Sequence, residues 1–415
     1  MRPADPGQGE DSAKREAEEC ACGADGVRVE SSAMKRKPSA DVSALDANFK
    51  PVTVEGHEVV WHDALRGGSF VLEGLPFRAG PGAPLRRLPG DHAAPWVASE
   101  SGDALMRHTA GACVRFRSAS PWIAVRATLG DGCDMNHMPR AGSKGLDLYR
   151  GRGAASRHVG TAQPNPDDRV LERLLHRRQP DDAGDETWQV NLPLYGGIDA
   201  LEIGLAPGAA VRRPPAHRLG PICFYGSSIA QGGCASRPGN AYTTMVCRAL
   251  DAEQINLGFS GSARGEPEMA ELVATLDGLA ALVLDYDYNA PTPEHLAATH
   301  EPFFRTVRAA RPDLPILALS APSVWPDSPD AMRRRRDIVR ETVRRARARG
   351  DRRVAFLDGS RLFGRANRDD CTVDRVHPND LGFRRMADAV LAALLRLGLP
   401  PSPRGARAAN RSGQV

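Results

Sequence analysis

A chain of 415 residues with 55 basic and 51 acidic side chains, formally +4, is long enough for two domains and a substantial buried core. Its basic residues are spread along the chain instead of gathered in a stripe, which argues against nucleic acid as a partner. No segment approaches the roughly 18 apolar residues of a membrane helix, and the opening MRPADPGQGEDSAKREAEECACGADG carries charge where a secretory signal needs an apolar run, so the expectation is a cytoplasmic protein without a membrane span.

Residues 1–50 are polar, charged and aperiodic. They bury too little apolar surface to offset the entropy of ordering, and a disordered leader is expected. Residues 398–415, with PPSPRGARAANRSGQV at their end, share that character and are expected to form a disordered tail. The eight cysteines, at 20, 22, 113, 133, 223, 234, 247 and 371, show no paired metal-like spacing beyond the isolated Cys20-Ala-Cys22. Small buried hydrophobes are the expectation for Cys223 and Cys247, which lie in apolar and helical runs, and neither a disulfide framework nor a zinc site is expected.

From 51 to 215 the apolar residues fall in short clusters separated by Gly, Pro and Asp: HEVVWHDAL, SFVLEGLPF, ACVRFRS, WIAVRATL, GLDLY, WQVNLPLY and DALEIGL. Val114-Arg115-Phe116-Arg117 and Ile123-Ala124-Val125-Arg126 alternate with period two, as strands with one buried face do. Regularly spaced short strands with turn signals between them predict a mainly antiparallel, jelly-roll-like β-sandwich. His137, in DMNHMPRAGSKG, is a loop histidine with no partner visible in the sequence. A ligand-binding role is open to it, and a structural role is the expectation.

A proline- and arginine-rich linker, APGAAVRRPPAHRLGP, precedes a change of rhythm. Five apolar runs follow over 219–397: ICFYG, INLGF, ALVLDYDY, PILALSAP and VAFLDGS, separated by helical stretches and closed by DLGFRRMADAVLAALLRLG. Strand–helix alternation with nearly continuous apolar strands predicts an α/β domain, a parallel sheet covered on both faces, and ligands in such folds sit beyond the carboxyl ends of the strands. The run Arg333 to Arg336 reads as a solvated helix face with acidic partners.

Three of those strand ends collect polar residues: Ser227-Ser228, then GFSGSARGE (258–266), then DYDYNAP (285–291). Late in the chain, VDRVHPNDLG places Asp374 three residues before His377, with Pro378 where a helix could begin. A serine hydroxyl needs a base to take its proton, and the base works best when a third group fixes its tautomer. Asp-x-x-His supplies the second and third parts, and Ser228 the first. The negative charge developing on an attacked ester carbonyl needs preorganised donors: the Ser228 N–H, a glycine N–H at the second strand end and the Asn289 amide. Taken singly, Ser227-Ser228 is equally a helix cap, Gly258 and Gly261 a turn, and Asn289 an Asx turn.

In order along the chain, Gly226-Ser227-Ser228-Ile229, Gly258-Phe-Ser-Gly261, Asn289 and Asp374-x-x-His377 resemble the motifs of the SGNH hydrolases, or GDSL esterases/lipases, over residues 219–397. The resemblance implies a flavodoxin-like α/β/α sandwich, a Ser228–His377–Asp374 triad, an oxyanion hole of Ser228, Gly261 and Asn289, and no metal or other cofactor. Ser227 stands where the family motif has Asp, Ser262 where many members carry Asn or Asp, and Tyr-Asp-Tyr-Asn replaces Gly-x-Asn-Asp, which marks a divergent branch. The α/β-hydrolase elbow Gly-x-Ser-x-Gly is absent, because Ala230 occupies its last position. The strand-rich region before it is similar to the sandwich preceding the hydrolase domain in some bacterial members, certain carbohydrate esterases among them. The expectation is a serine esterase acting on short acyl esters, with a carbohydrate ester as first choice. A lysophospholipase or thioesterase of the same fold, acyl transfer to another alcohol, and an inactive glycan- or protein-binding module are the alternatives.

Overall fold

The computed structural model describes residues 54, 56–179, 184–322 and 325–401; the expected leader, the expected tail beyond residue 401 and the Cys20-Ala-Cys22 pair lie outside them. In chain order the strands are β1 Val60–Asp63, β2 Val71–Glu73, β3 Cys113–Ser118, β4 Trp122–Gly132, β5 Leu146–Arg150, β6 Arg157–Ala162, β7 Val170–Arg177, β8 Glu186–Asn191, β9 Gly196–Leu205, β10 Val211–Arg212, β11 Leu219–Gly226, β12 Ala252–Gly258, β13 Ala281–Asp285, β14 Ile316–Leu319 and β15 Val354–Leu357. The helices are α1 Glu100–Arg107, α2 Arg140–Ser143, α3 Ser228–Gln231, α4 Tyr242–Leu250, α5 Pro267–Thr275, α6 Pro293–Ala310, α7 Asp330–Ala348 and α8 Asp380–Arg396.

Two antiparallel sheets form the first half, one in the order β1-β9-β4-β7 and the other β10-β3-β8-β5-β6 with β2 also on β3. The period-two pattern explains their packing. Ile123, Val125, Ala127 and Leu129 of β4 point into a core shared with Val114, Phe116, Leu148, Trp188 and Val190 of the facing sheet. Arg126, on the opposite face of β4, bonds Glu172 and Glu202 of the flanking strands at 2.7 and 3.3 Å. Opposite charges directly across a ladder favour this register over a one-residue slip, which would bury them.

The clusters anticipated as strands form strands, and β6, β7, β10, α1 and α2 are additions. VLERLLHR of β7 is composed of good helix formers, and its strand conformation comes from seven-residue pairing with β4, tertiary context overriding a weak local preference. The proline-rich stretch before β11 is tied down twice: Val211–Arg212 pairs with β3, and His217 lies 2.8 Å from Glu73 and 3.0 Å from Asp251.

The second half is a parallel sheet in the order β12-β11-β13-β14-β15. Successive strand residues face opposite sides. Phe224, Val283 and Leu317 lie against Tyr242, Val246, Phe383 and Val390 of α4 and α8, while Cys223, Tyr225, Leu257 and Leu284 lie against Met269, Phe303, Val307 and Val343 of α5, α6 and α7. Both faces are covered, so the strands read as nearly continuous apolar runs, β12 with its Gln254 and Asn256 being the most polar. This is the flavodoxin-like three-layer order, whose switch point lies between its first and third strands, here β11 and β13.

Candidate active site

At that switch point β11 ends in Gly226, and the chain enters the short helix α3 with Ser227 as its N-cap, the hydroxyl accepting from Ile229 N at 3.2 Å. Glycine is required here by close approach. A Cβ on Gly226 would sit 2.4 Å from Asp285 O, and one on Gly258 would sit 2.3 Å from Gln231 N. The two small residues let the β11 turn nest between the ends of β12 and β13. Ser228 opens α3, so its N–H is among the amides a helix start leaves without intrahelical partners.

Ser228 Oγ lies 3.0 Å from His377 Nε2, and His377 Nδ1 lies 2.7 Å from Asp374 Oδ2. A carboxylate only accepts, so Nδ1 carries the hydrogen and Nε2 presents its lone pair to the serine hydroxyl. Asp374 is fixed in turn by the N–H groups of Val376 and His377, at 2.9 and 2.7 Å on Oδ1. Burial pushes its carboxyl up, but the His377 ring and these two amides outweigh that and hold it below the usual range. The Asp374–His377 segment is a closed loop. Thr372 bridges Pro378, Val373 N donates to His377 O, and Arg375 adopts φ 67°. Pro378 does not open a helix as its sequence position suggests: Asn379 is the N-cap of α8, accepting from Gly382 N, because Pro378 is engaged in the bridge.

Gly261 sits in the turn after β12 at φ 67°, with open space where a Cβ would project. Asn289, after β13, donates from Nδ2 to Phe259 O at 2.9 Å, joining the two strand ends. The structure therefore links Ser228, His377 and Asp374 in one hydrogen-bonded chain and Asn289 to the Gly258–Gly261 turn. The two groups share no direct hydrogen bond among the described residues.

Residues that local sequence reading missed support both groups. Arg335 is buried, not solvated like its neighbours in the arginine run. Its Nη1 donates to Asp287 O at 2.8 Å and to Ala290 O, and its Nη2 to Pro291 O at 3.1 Å, so one guanidinium gathers the loop that carries Asn289. Its neighbours do pair at the surface, Arg333 with Asp330 and Arg334 with Glu294. From the sandwich half, Tyr195 OH donates to Ser228 O at 3.3 Å, and Arg87 reaches Gly258 O and Leu105 O with its guanidinium 4.1 Å above the Phe259 ring. Gln231 accepts from Ser260 N at 3.0 Å and donates from Nε2 to Leu194 O at 3.0 Å, with His108 Nδ1 3.2 Å away. Burial first, then the Arg87 charge, hold His108 down at about 3, so it is neutral. Nothing in the spacing of these residues marks them; only the contact between the halves does.

The fold and its polar switch point define an α/β/α ester-bond hydrolase joined to an antiparallel sandwich. Residues 220–395 match the model of the GDSL-like lipase/acylhydrolase family, and residues 59–211 match the model described as the N-terminus of SGNH-hydrolase-type esterases. The chain belongs to the SGNH, or GDSL-type, hydrolase family. It is similar to a structure from Bacteroides ovatus described as a GDSL-like lipase, with 27% identity over 82% of this chain and 98% of that one and a TM-score of 0.71. A salicylyl-acyltransferase from a tetracycline biosynthetic pathway has the same fold at 20% identity, over 83% and 98% of the two chains, TM-score 0.67. So does a family two carbohydrate esterase from Clostridium thermocellum, at 15% identity over 71% and 94%, TM-score 0.51. No curated protein matches the sequence. No helix among the described residues is long and apolar enough to cross a membrane.

Proposed function

We propose that the protein is a serine esterase of two domains, a sandwich over 51–215 and a hydrolase domain over 219–397, that cleaves short acyl esters. His377 takes the Ser228 proton as Oγ attacks the acyl carbon. Asp374 steadies the imidazolium, and the N–H groups of Ser228 and Gly261 and the Asn289 amide receive the oxyanion. His377 then protonates the leaving alcohol, and water, deprotonated by the same ring, releases the acid. The observation that carries this reading is the 3.0 Å approach of Ser228 Oγ to His377 Nε2 across 149 positions of sequence.

A sugar-linked acetyl group is the favoured substrate. It is supported by the sandwich-plus-hydrolase arrangement shared with structures described as a family two carbohydrate esterase and an acetyl xylan esterase. Profiling acetyl, butyryl and lauroyl p-nitrophenyl esters beside acetylated sugars tests it: highest kcat/KM on acetyl substrates is expected, and preference for lauroyl overturns the sugar assignment in favour of a lysophospholipase or thioesterase. Ser228→Ala with undiminished activity on p-nitrophenyl acetate overturns the nucleophile assignment. The soluble cytoplasm is the proposed compartment.

A further inference from the structure

A group of side chains suited to a transition metal lies beside the Ser228–His377 pair. His137, between β4 and α2, Cys234, after α3, and His377 each offer one donor atom, and the three atoms lie within 4.8 Å of one another. The His137 and His377 rings stand edge to face, centroids 5.5 Å apart.

Two independent features separate this cluster from chance neighbours. His137 Nδ1 is buried with no hydrogen-bond partner, a state that costs free energy unless something fills the coordination. Cys234 is a buried free thiol held at φ 73°, a left-handed conformation that a residue with a Cβ adopts at a cost and that is found where surrounding structure imposes it. The turn lies beside the ring: a Cβ on the preceding Gly233 would come within 3.5 Å of His377 Cδ2 and 2.9 Å of Tyr195 OH.

We propose that His137, Cys234 and His377 form a zinc-binding site whose occupation switches the enzyme off. Two imidazoles and a thiolate are a donor set zinc favours, with water as fourth ligand. Bond lengths of about 2.0–2.3 Å put tetrahedral donors about 3.5 Å apart, which asks for roughly an ångström of closure, supplied by rotation of the loop side chain His137. His377 Nδ1 is held by Asp374, so Nε2 is the lone pair offered, in the carboxylate–histidine–metal arrangement that orients a ligand. On binding, the Cys234 thiol releases its proton to water, two nitrogens and one sulfur donate electron pairs, and nothing is oxidised or reduced. The Nε2 lone pair is then committed to the metal and no longer available to Ser228. The inhibitory half of the proposal rests on His377 as the base; the binding half does not.

The test uses the full chain freed of metal by a chelator. Zinc is titrated against a chromophoric chelator and, separately, against hydrolysis of p-nitrophenyl acetate. One zinc per chain, at least a tenfold loss of activity restored by EDTA, and no effect of Mg²⁺ are expected. His137→Ala and Cys234→Ala keep basal activity and need at least tenfold more zinc for inhibition; Cys234→Ser serves where Ala unfolds the turn. Co²⁺ gives a thiolate-to-metal charge-transfer band that the Cys234 variant lacks. Ser228→Ala, inactive, binds zinc as the wild type does, so zinc binding through His137 and Cys234 in a chain that hydrolyses no ester leaves the site standing while the esterase reading falls. Equal zinc sensitivity of wild type, His137→Ala and Cys234→Ala overturns the site.

Discussion

Arg87 of the sandwich half donates a hydrogen bond to Gly258 O, the carbonyl at the end of β12 from which the Gly261 turn departs. The guanidinium is buried, bonds three carbonyls and covers the Phe259 ring. It therefore fixes the backbone that would face a developing oxyanion. Replacing it with Met leaves those carbonyls without donors in a dry environment, at about 1–3 kcal/mol each where no water enters. Arg87→Met is expected to lower the melting temperature by several degrees and kcat by more than tenfold with a smaller change in KM. Arg87→Lys, keeping charge but losing the planar fork, should recover only part of either. Unchanged kcat in a folded Arg87→Met protein rules out the link to the turn.

Arg335 and Asn289 act on one loop, so their effects should not add. Asn289→Ala removes one oxyanion donor and is expected to cost 10²–10³ in kcat. Arg335→Met frees the carbonyls of residues 287, 290 and 291 and should lower kcat by about tenfold through displacement of Asn289. In a double-mutant cycle the pair is expected to lose little more than Asn289→Ala alone. Strict additivity of the two losses would show that Arg335 supports only the helix packing.

Asp374→Asn keeps the loop shape but removes the charge opposite His377 Nδ1, and its amide can impose the wrong tautomer on the ring. Stopped-time assays on p-nitrophenyl acetate should show a fall of about 10²–10⁴ in kcat. The variant should still label with a fluorophosphonate probe, only more slowly. A loss smaller than threefold would leave Asp374 a mere loop support.

How far the sequence alone reaches is clear from particular residues. The five runs of the parallel sheet were legible because both faces are buried and their strands are therefore mostly apolar, with Glu253, Gln254 and Asn256 of β12 and Asp285 of β13 as the polar members, and Arg126 between Val125 and Ala127 marked β4 by the same physics on a half-exposed strand. The Asp374–His377 spacing was visible because the two groups are local. Arg335 was hidden because its partners are backbone carbonyls more than 40 positions away, which leave no trace in residue type. Arg87, Tyr195 and His108 were hidden for the same reason, since they reach the second half only when the halves pack. Cys234 carried no signal of its own in the sequence beyond lacking a metal-like cysteine spacing. What sets it apart is a backbone angle and two histidines, one 97 positions before it and one 143 after it, and neither is written in its neighbours.

The junction of the two halves makes stability depend on pH through His217. Burial pushes its ring down, but hydrogen bonds to Asp251 and Glu73 outweigh this and the net shift is upward. Glu73 and Asp251 shift downward, burial being outweighed by His217 with Arg115 for the former and Arg152 for the latter. Glu253, which accepts the Gly74 N–H, is pushed up by burial. A group held above its unfolded value stabilises fully below that value and loses the effect as pH rises through the folded one; groups held below do the reverse as pH falls. With unfolded values of about 6.5 for His and about 4 for the carboxylates, the histidine and carboxylate contributions coincide between about pH 4.5 and 6.5, and Glu253 subtracts as pH climbs above its unfolded value. The junction's contribution to melting temperature is therefore expected to peak within that interval and to decline toward pH 8. His217→Gln should lower the peak and flatten the alkaline decline, read by thermal melts at constant ionic strength from pH 4 to 9. A parallel, undiminished decline in the variant would place the pH sensitivity in other groups.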